Sequence, residues 1–147
     1  MNFDLILARQ ITVLSLFFGA LCGLITLIPI VGMYSLIFLI CFIAPLVIWI
    51  LIKYNCLSLS SIKESVIVGA LTGFVSFLGF SIIYIPISAI LMKLFNLTAN
   101  YGIGIMLANA SFFLLMVISL FMGVLSATVN AFTGFLTFYV INLINKK

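Results

Sequence analysis

The sequence predicts an all-α integral membrane protein with four transmembrane helices, arranged as two tandem parallel hairpin repeats with both termini in the cytoplasm. Three observations lead to this prediction. Of the 147 residues, 67% are hydrophobic and 5% are charged, whereas a soluble domain typically carries about 25% charged residues. Residues 10–52, 65–92 and 94–145 contain no Asp, Glu, Lys or Arg, and a membrane-spanning helix needs roughly 20 apolar residues. A small-residue pattern also occurs twice, fifty positions apart.

The apolar stretches favour helices over a transmembrane β-barrel. A barrel would show segments of about 10 residues in which apolar and polar side chains alternate, but the apolar runs here are continuous. A helix also satisfies its backbone hydrogen bonds within one segment, as the lipid interior requires. The chain leaves no room for a soluble domain, so residues 1–147 are predicted to form one transmembrane domain.

The four helices are expected at about 10–28, 35–52, 65–92 and 110–143. The first is too long and lacks a small-residue cleavage site for a signal peptide, so we expect it to be retained. Pro29 and Gly32 predict a tight turn after it, and the charged segment 53–64 predicts a loop after the second helix. A loop over 93–109 precedes the fourth helix, and residues 101–111 are compatible with a loop, a re-entrant segment or the start of that helix.

Flanking charge predicts the orientation, because positively charged loops tend to stay in the cytoplasm. With four spans and a cytoplasmic amino terminus, Lys93 is the single basic residue outside. The other five lie on the cytoplasmic side: Arg9, Lys53, Lys63, Lys146 and Lys147. Splitting 94–145 into two helices would leave three basic residues on each side, so four spans are preferred.

The repeated pattern predicts two closely packed helix faces. Residues 15–28 read SLFFGALCGLITLI and residues 65–78 read SVIVGALTGFVSFL. Small residues recur every four positions in both copies: Ser15, Gly19 and Gly23, then Ser65, Gly69 and Gly73. Residues four apart share one helix face, and in lipid such faces let two backbones approach closely. We therefore expect these glycines to lie at helix contacts.

The fourth helix carries the most polar intramembrane segment, MGVLSATVNAFTGF over 122–135. Gly123 belongs to a third small-residue face, and Thr133 lies beside Asn130, the most polar group expected well inside the bilayer. Polar residues at that depth usually face the bundle interior. Asn130 is therefore expected to bond to another helix, and a contact with a substrate or an ion is the alternative.

Several functions are disfavoured by what the sequence lacks. It contains no His, and its two acids, Asp4 and Glu64, fall at the edges of predicted spans, so proton-coupled transport has no titratable intramembrane group. The three cysteines are far apart, which disfavours a metal site. No base is placed to activate a nucleophile, so we expect no enzyme activity and no cofactor. The net charge of +4 is accounted for by topology and anionic lipid and does not indicate nucleic acid.

The first 95 residues, with GAL-x-G, a short IP turn, a second span and another GAL-x-G, resemble small four-span membrane proteins of uncharacterised families. This resemblance implies no activity. Small multidrug exporters need a glutamate in the first span and fluoride channels a glycine-rich amino-terminal motif, and neither pattern is present.

Two functions are therefore compatible with the sequence. The favoured one is a structural or accessory protein in a bacterial or archaeal plasma membrane, packed into a homo-oligomer or against a larger membrane-protein partner. The alternative is a permease or channel for a small neutral or lipid-like solute. A polar cavity at Asn130 would favour transport, and a filled bundle would favour the accessory role.

Overall fold

The computed structural model describes residues 5–57, 61–95 and 111–145, and within these ranges every regular element is an α-helix. The five helices are α1 (Leu5–Ile25), α2 (Val31–Cys41), α3 (Ile43–Lys53), α4 (Ile62–Phe95) and α5 (Phe112–Asn145). Helices α1, α4 and α5 are each long and apolar enough to cross a membrane, and α2 with α3 forms a further such segment bent by 63°. The described chain therefore has three candidate spans, or four if the bent pair is one span.

The bent pair is the main departure from the expected helices. The sequence predicted one helix over 35–52, but the structure divides it at Phe42. Helix α4 is also longer than the expected 65–92, and α5 has the expected length two residues further along, so that both have 34 residues. That length corresponds to about 51 Å at 1.5 Å per residue, which exceeds the roughly 30 Å hydrocarbon layer. Most of the expected 93–109 loop lies outside the described residues.

A tight turn connects α1 to α2 at the predicted position. The Val31 amide donates to the Pro29 carbonyl at 2.9 Å, and Ile30 between them has φ 72° and ψ −57°. These values define a γ-turn, which is strained for a β-branched residue. Gly32 follows, and a Cβ atom there would overlap with the Thr26 backbone, so the turn brings α2 directly back onto α1.

Helix α3 ends in a Schellman motif. The Cys56 amide donates to the Leu51 carbonyl at 2.8 Å, and the Asn55 amide donates to the Ile52 carbonyl at 3.0 Å. Asn55 has φ 54°, a left-handed conformation that asparagine adopts more readily than most residues. The chain then reverses, and Leu57 becomes buried against the core.

Helix α4 lies at the centre of the bundle, with α1 and α5 as its main neighbours. One buried cluster joins Ile11 of α1 to Val68 of α4, and a second joins Cys22 of α1 to Phe80 of α4. Residue numbers rise together in these pairs, so α1 and α4 run in the same direction.

Helices α4 and α5 run in opposite directions. The Ser65 hydroxyl donates to the Gly134 carbonyl, and the Ser126 hydroxyl donates to the Gly73 carbonyl at 3.0 Å. The segment α2–α3 covers α1, α4 and α5 from one side. Its bend therefore lies at the interior of the bundle, opposite the middle of α5.

Candidate functional site

The break between α2 and α3 is the feature of the backbone that needs explanation in an apolar environment. Regular α2 bonding ends with the Phe42 amide, which donates to the Phe38 carbonyl at 2.8 Å. Pro45 has no amide hydrogen, and its ring clashes with the carbonyl four residues earlier, so proline kinks a helix at this position. Ile43 and Ala44, at the break, are fully buried. Their backbone groups therefore need partners from elsewhere in the protein.

Asn130 of α5 supplies a partner for the Ala44 amide and for carbonyls at the end of α2. Its side-chain oxygen accepts from the Ala44 amide at 3.0 Å. Its side-chain nitrogen donates to the Ile40 carbonyl at 2.9 Å and lies 3.3 Å from the Leu39 carbonyl. In a continuous helix the Ala44 amide would bond directly to the Ile40 carbonyl, four residues earlier. The Asn130 amide has been inserted into that one hydrogen bond, which is a recognised cause of sharp helix kinks.

Both polar atoms of the Asn130 side chain have hydrogen-bond partners within the protein. Its nitrogen also donates to the Ser126 carbonyl at 2.9 Å and approaches the Ser126 hydroxyl at 3.3 Å. A primary amide has two donor hydrogens and one acceptor oxygen, and each has a protein partner here. With no exposed surface, Asn130 bonds to the protein and does not face lipid.

Gly73 provides the space that Asn130 occupies. A Cβ atom at Gly73 would lie 2.6 Å from the Asn130 Cβ and 2.9 Å from its side-chain nitrogen. A Cβ atom at Gly69, one turn earlier, would overlap with the backbone carbonyl of Asn130. These two glycines of the repeated pattern thus face α5 at the level of the break.

The glycines of the first copy face a different helix. Gly19 lies against the backbone of Ser76 in α4, and a Cβ atom at Gly23 would lie 3.0 Å from the Phe80 carbonyl oxygen. The first copy therefore contacts α4, whereas the second copy belongs to α4 and contacts α5. Equivalent residues of the two copies have non-equivalent neighbours.

The remaining two candidate residues of α5 lie on either side of Asn130. Gly123 lies beneath the Phe74 ring, with ring carbons 3.3 Å from the position of a Cβ atom. The Thr133 hydroxyl donates to the Asn130 carbonyl of its own helix at 3.2 Å. Neither residue contacts the break directly.

The sequence interpretation missed three participants. Pro45 was the available signal for the break, because proline is unfavourable inside a helix. Gly79 and Gly134 also lie at close contacts, facing the backbones of Leu16 and Ser65. A glycine inside a helix lowers stability relative to alanine. Its presence at both positions therefore indicates a packing reason, which the sequence could have suggested.

The groups that Asn130 joins at the break act through hydrogen bonding. The groups at the break are backbone amides, carbonyls, one carboxamide and one hydroxyl, none of which titrates near neutral pH. Among the described residues, no group of three or more His, Cys, Asp or Glu side chains could hold a metal ion. The arrangement can fix the angle between two half-helices and connect them to α5.

Three clefts on the described surface are lined by residues other than Asn130. One, of about 290 Å³, lies between α4 and α5 and is lined by Phe77, Phe80, Tyr84, Leu115 and Met122, among others. Its lining is almost entirely apolar, and the rings of Phe80 and Tyr84 stack at 5.0 Å. Comparison with protein-family models, curated proteins and solved structures finds no match for this chain.

Proposed function

We propose that this chain is a non-enzymatic, structural or accessory protein of a bacterial or archaeal plasma membrane. The proposed topology has four spans, with α2 and α3 together forming the second, and both termini in the cytoplasm. Its partners are the lipid bilayer and either further copies of itself or a larger membrane protein. It needs no cofactor and does not bind nucleic acid.

The observation that carries this proposal is that the side-chain amide of Asn130 forms its hydrogen bonds within the protein. A solute pathway needs polar groups that face a cavity, but every donor and acceptor of this amide is bonded to the protein at zero exposure. The glycine contacts also bring the α1, α4 and α5 backbones together at this depth. A filled interior supports a bundle that acts through its outer surface.

Helix α5 is the best candidate for that outer surface. Half of the most apolar window of α4 is buried, against 17% for α5. Phe113, Phe121 and Phe132 are each at least 60% exposed along α5. Large apolar side chains on an outer helix suit contact with lipid, with a second copy or with another membrane protein.

The four-span topology is supported by length and charge. Val31–Lys53, counted through the bend, has enough apolar residues to cross the bilayer. With four spans, Arg9, Lys53 and Lys63 lie on one side of the membrane and Lys93 on the other, as the positive-inside rule favours. We treat α1 with α2–α3 and α4 with α5 as the two parallel hairpin copies. Helices α1 and α4 share a direction, although their small-residue faces have different neighbours.

Topology can be tested by labelling single cysteines from each side of the membrane. Cysteines at Lys53 and Lys63 are expected to react from the cytoplasmic side, and one at Lys93 from the outside. Reaction of Lys53→Cys or Lys63→Cys from the outside would contradict the four-span topology.

The accessory function can be tested by extracting the protein from its native membrane directly into nanodiscs and measuring particle mass. We expect assemblies of defined stoichiometry that exceed the mass of one 16.2 kDa chain. Vesicles containing the purified protein should also take up glycerol and urea no faster than protein-free vesicles. Isolated monomers in the native membrane would contradict the accessory role.

A permease or channel for a small neutral or lipid-like solute is the second candidate, and the broken α2–α3 segment is the observation that favours it. Transporters often build solute sites from discontinuous helices. In this protein the break is closed by Asn130, so transport requires the amide to withdraw. Uptake above the protein-free level that Asn130→Ala alters, while Thr128→Ala leaves it unchanged, would establish transport.

A further inference from the structure

A second cleft, of about 440 Å³, lies between α1 and the end of α3. Its volume is within the range of about 300–1,000 Å³ that is usual for small-molecule sites. Arg9, Gln10 and Tyr54 line it at one end, and Val13, Leu14 and Ile50 line it further along.

The cleft changes from polar to apolar along its length. Val13 is one helical turn beyond Arg9, and Ile50 is one turn before Tyr54. The chain reverses at the turn after α1, so α1 and α3 run in opposite directions. Arg9 and Tyr54 therefore share one end, and Val13 and Ile50 share the next level. An occupant that matches this lining has a polar head and an apolar tail.

Arg9 places a positive charge at the polar end of the cleft. Among the described residues, Arg9 has no ion-pair or hydrogen-bond partner. Lys53 lies at the same end of the bundle, with its ammonium group 5.1 Å from the centre of the Trp49 ring. A guanidinium group binds a phosphate through two parallel hydrogen bonds, so the head that fits here carries a phosphate and a net negative charge.

We infer that this cleft binds one anionic phospholipid of the cytoplasmic leaflet. Its phosphate is held by Arg9, and one acyl chain lies along Val13 and Ile50. The apolar wall distinguishes this occupant from free phosphate, and the charge of Arg9 distinguishes it from a zwitterionic lipid, whose ammonium group it would repel. Basic clefts between membrane helices commonly bind such headgroups. The inference rests on the proposed membrane topology but not on the accessory role.

The test is native mass spectrometry of the purified full chain in detergent, titrated with phosphatidylglycerol or with phosphatidylcholine of the same acyl chains. We expect one phosphatidylglycerol to bind about tenfold more tightly than phosphatidylcholine, a ratio that corresponds to about 1.4 kcal/mol. Arg9→Gln should remove this preference. Lys93→Gln, at the far end of α4 and also exposed, should keep it.

A second pair of variants tests the apolar half without changing charge. Val13→Trp should fill the cleft and weaken phosphatidylglycerol binding, whereas Phe17→Trp, one turn further along α1 and outside the cleft, should not. Equal affinity for both lipids, or equal losses in Arg9→Gln and Lys93→Gln, would overturn the inference. Displacement of the lipid by millimolar inorganic phosphate would also overturn it, by identifying a phosphate site. Binding in detergent requires neither assembly nor orientation, so its failure is distinguishable from failure of the proposed function.

Discussion

Replacing Asn130 by alanine tests whether its amide holds the bent segment. The change leaves the Ala44 amide and the Ile40 carbonyl buried without their partner. Each orphaned group costs about 1–3 kcal/mol. Local relaxation gives these groups new partners and recovers part of that free-energy cost. This is why measured interhelical hydrogen bonds in membranes average only about 0.6 kcal/mol net and reach about 1.7 kcal/mol. We expect Asn130→Ala to lower the free energy of unfolding by about 2–4 kcal/mol.

Unfolding can be followed in mixed micelles by the fluorescence of Trp49, the single tryptophan, which lies on α3. Thr128→Ala is the matched control. The Thr128 hydroxyl is exposed and donates to the Leu125 carbonyl of its own helix at 2.8 Å, so its loss should change stability by less than about 0.5 kcal/mol.

Relaxation of the bend has a geometric signature. Helices α2 and α3 have 11 residues each, or about 16.5 Å each at 1.5 Å per residue. Straightening the 63° bend would lengthen the segment by roughly 5 Å. Spin labels at Met33 and Tyr54, both exposed, would report this change in a cysteine-free background. If Asn130→Ala matches the wild type in both stability and label distance, the amide does not hold the break.

Two further predictions concern backbone geometry. Gly19→Ala should destabilise the protein by about 1–3 kcal/mol, because its Cβ atom would overlap with the Ser76 backbone. Leu24→Ala, on the exposed face of α1, should have little effect. Equal free energies of unfolding for these two variants would contradict the close contact. Ile30→Gly should stabilise the protein by about 1 kcal/mol, because glycine relieves the positive φ and an 82% exposed side chain contributes little burial. A loss of thermal stability in Ile30→Gly would exclude a strained turn.

The long helices could be predicted from the sequence because their causes are local. An apolar run without charges has one solution in lipid, a helix that satisfies its own backbone. Three apolar helices of spanning length occur near the predicted positions. Their ends differ by up to five residues, as with α1, which begins at Leu5 instead of about residue 10. The apolar composition indicates which residues can lie in the hydrocarbon layer, but a helix extends beyond that layer as long as its backbone hydrogen bonds continue.

The expectation that Asn130 faces the interior followed from the cost of burying an amide, but its partner could not be predicted. The bonded groups are the backbones of Ala44 and Ile40, 86 and 90 positions away along the chain, and a backbone partner has no sequence signature. Pro45 weakened the second helix. The position of the break was decided by where α5, held against Gly69 and Gly73, brings its amide to the α2–α3 segment. Composition and spacing thus determined the three long helices and the close packing of the repeated glycines. Tertiary structure alone decided which backbones those glycines meet and where the second segment bends, because both depend on how the helices dock together.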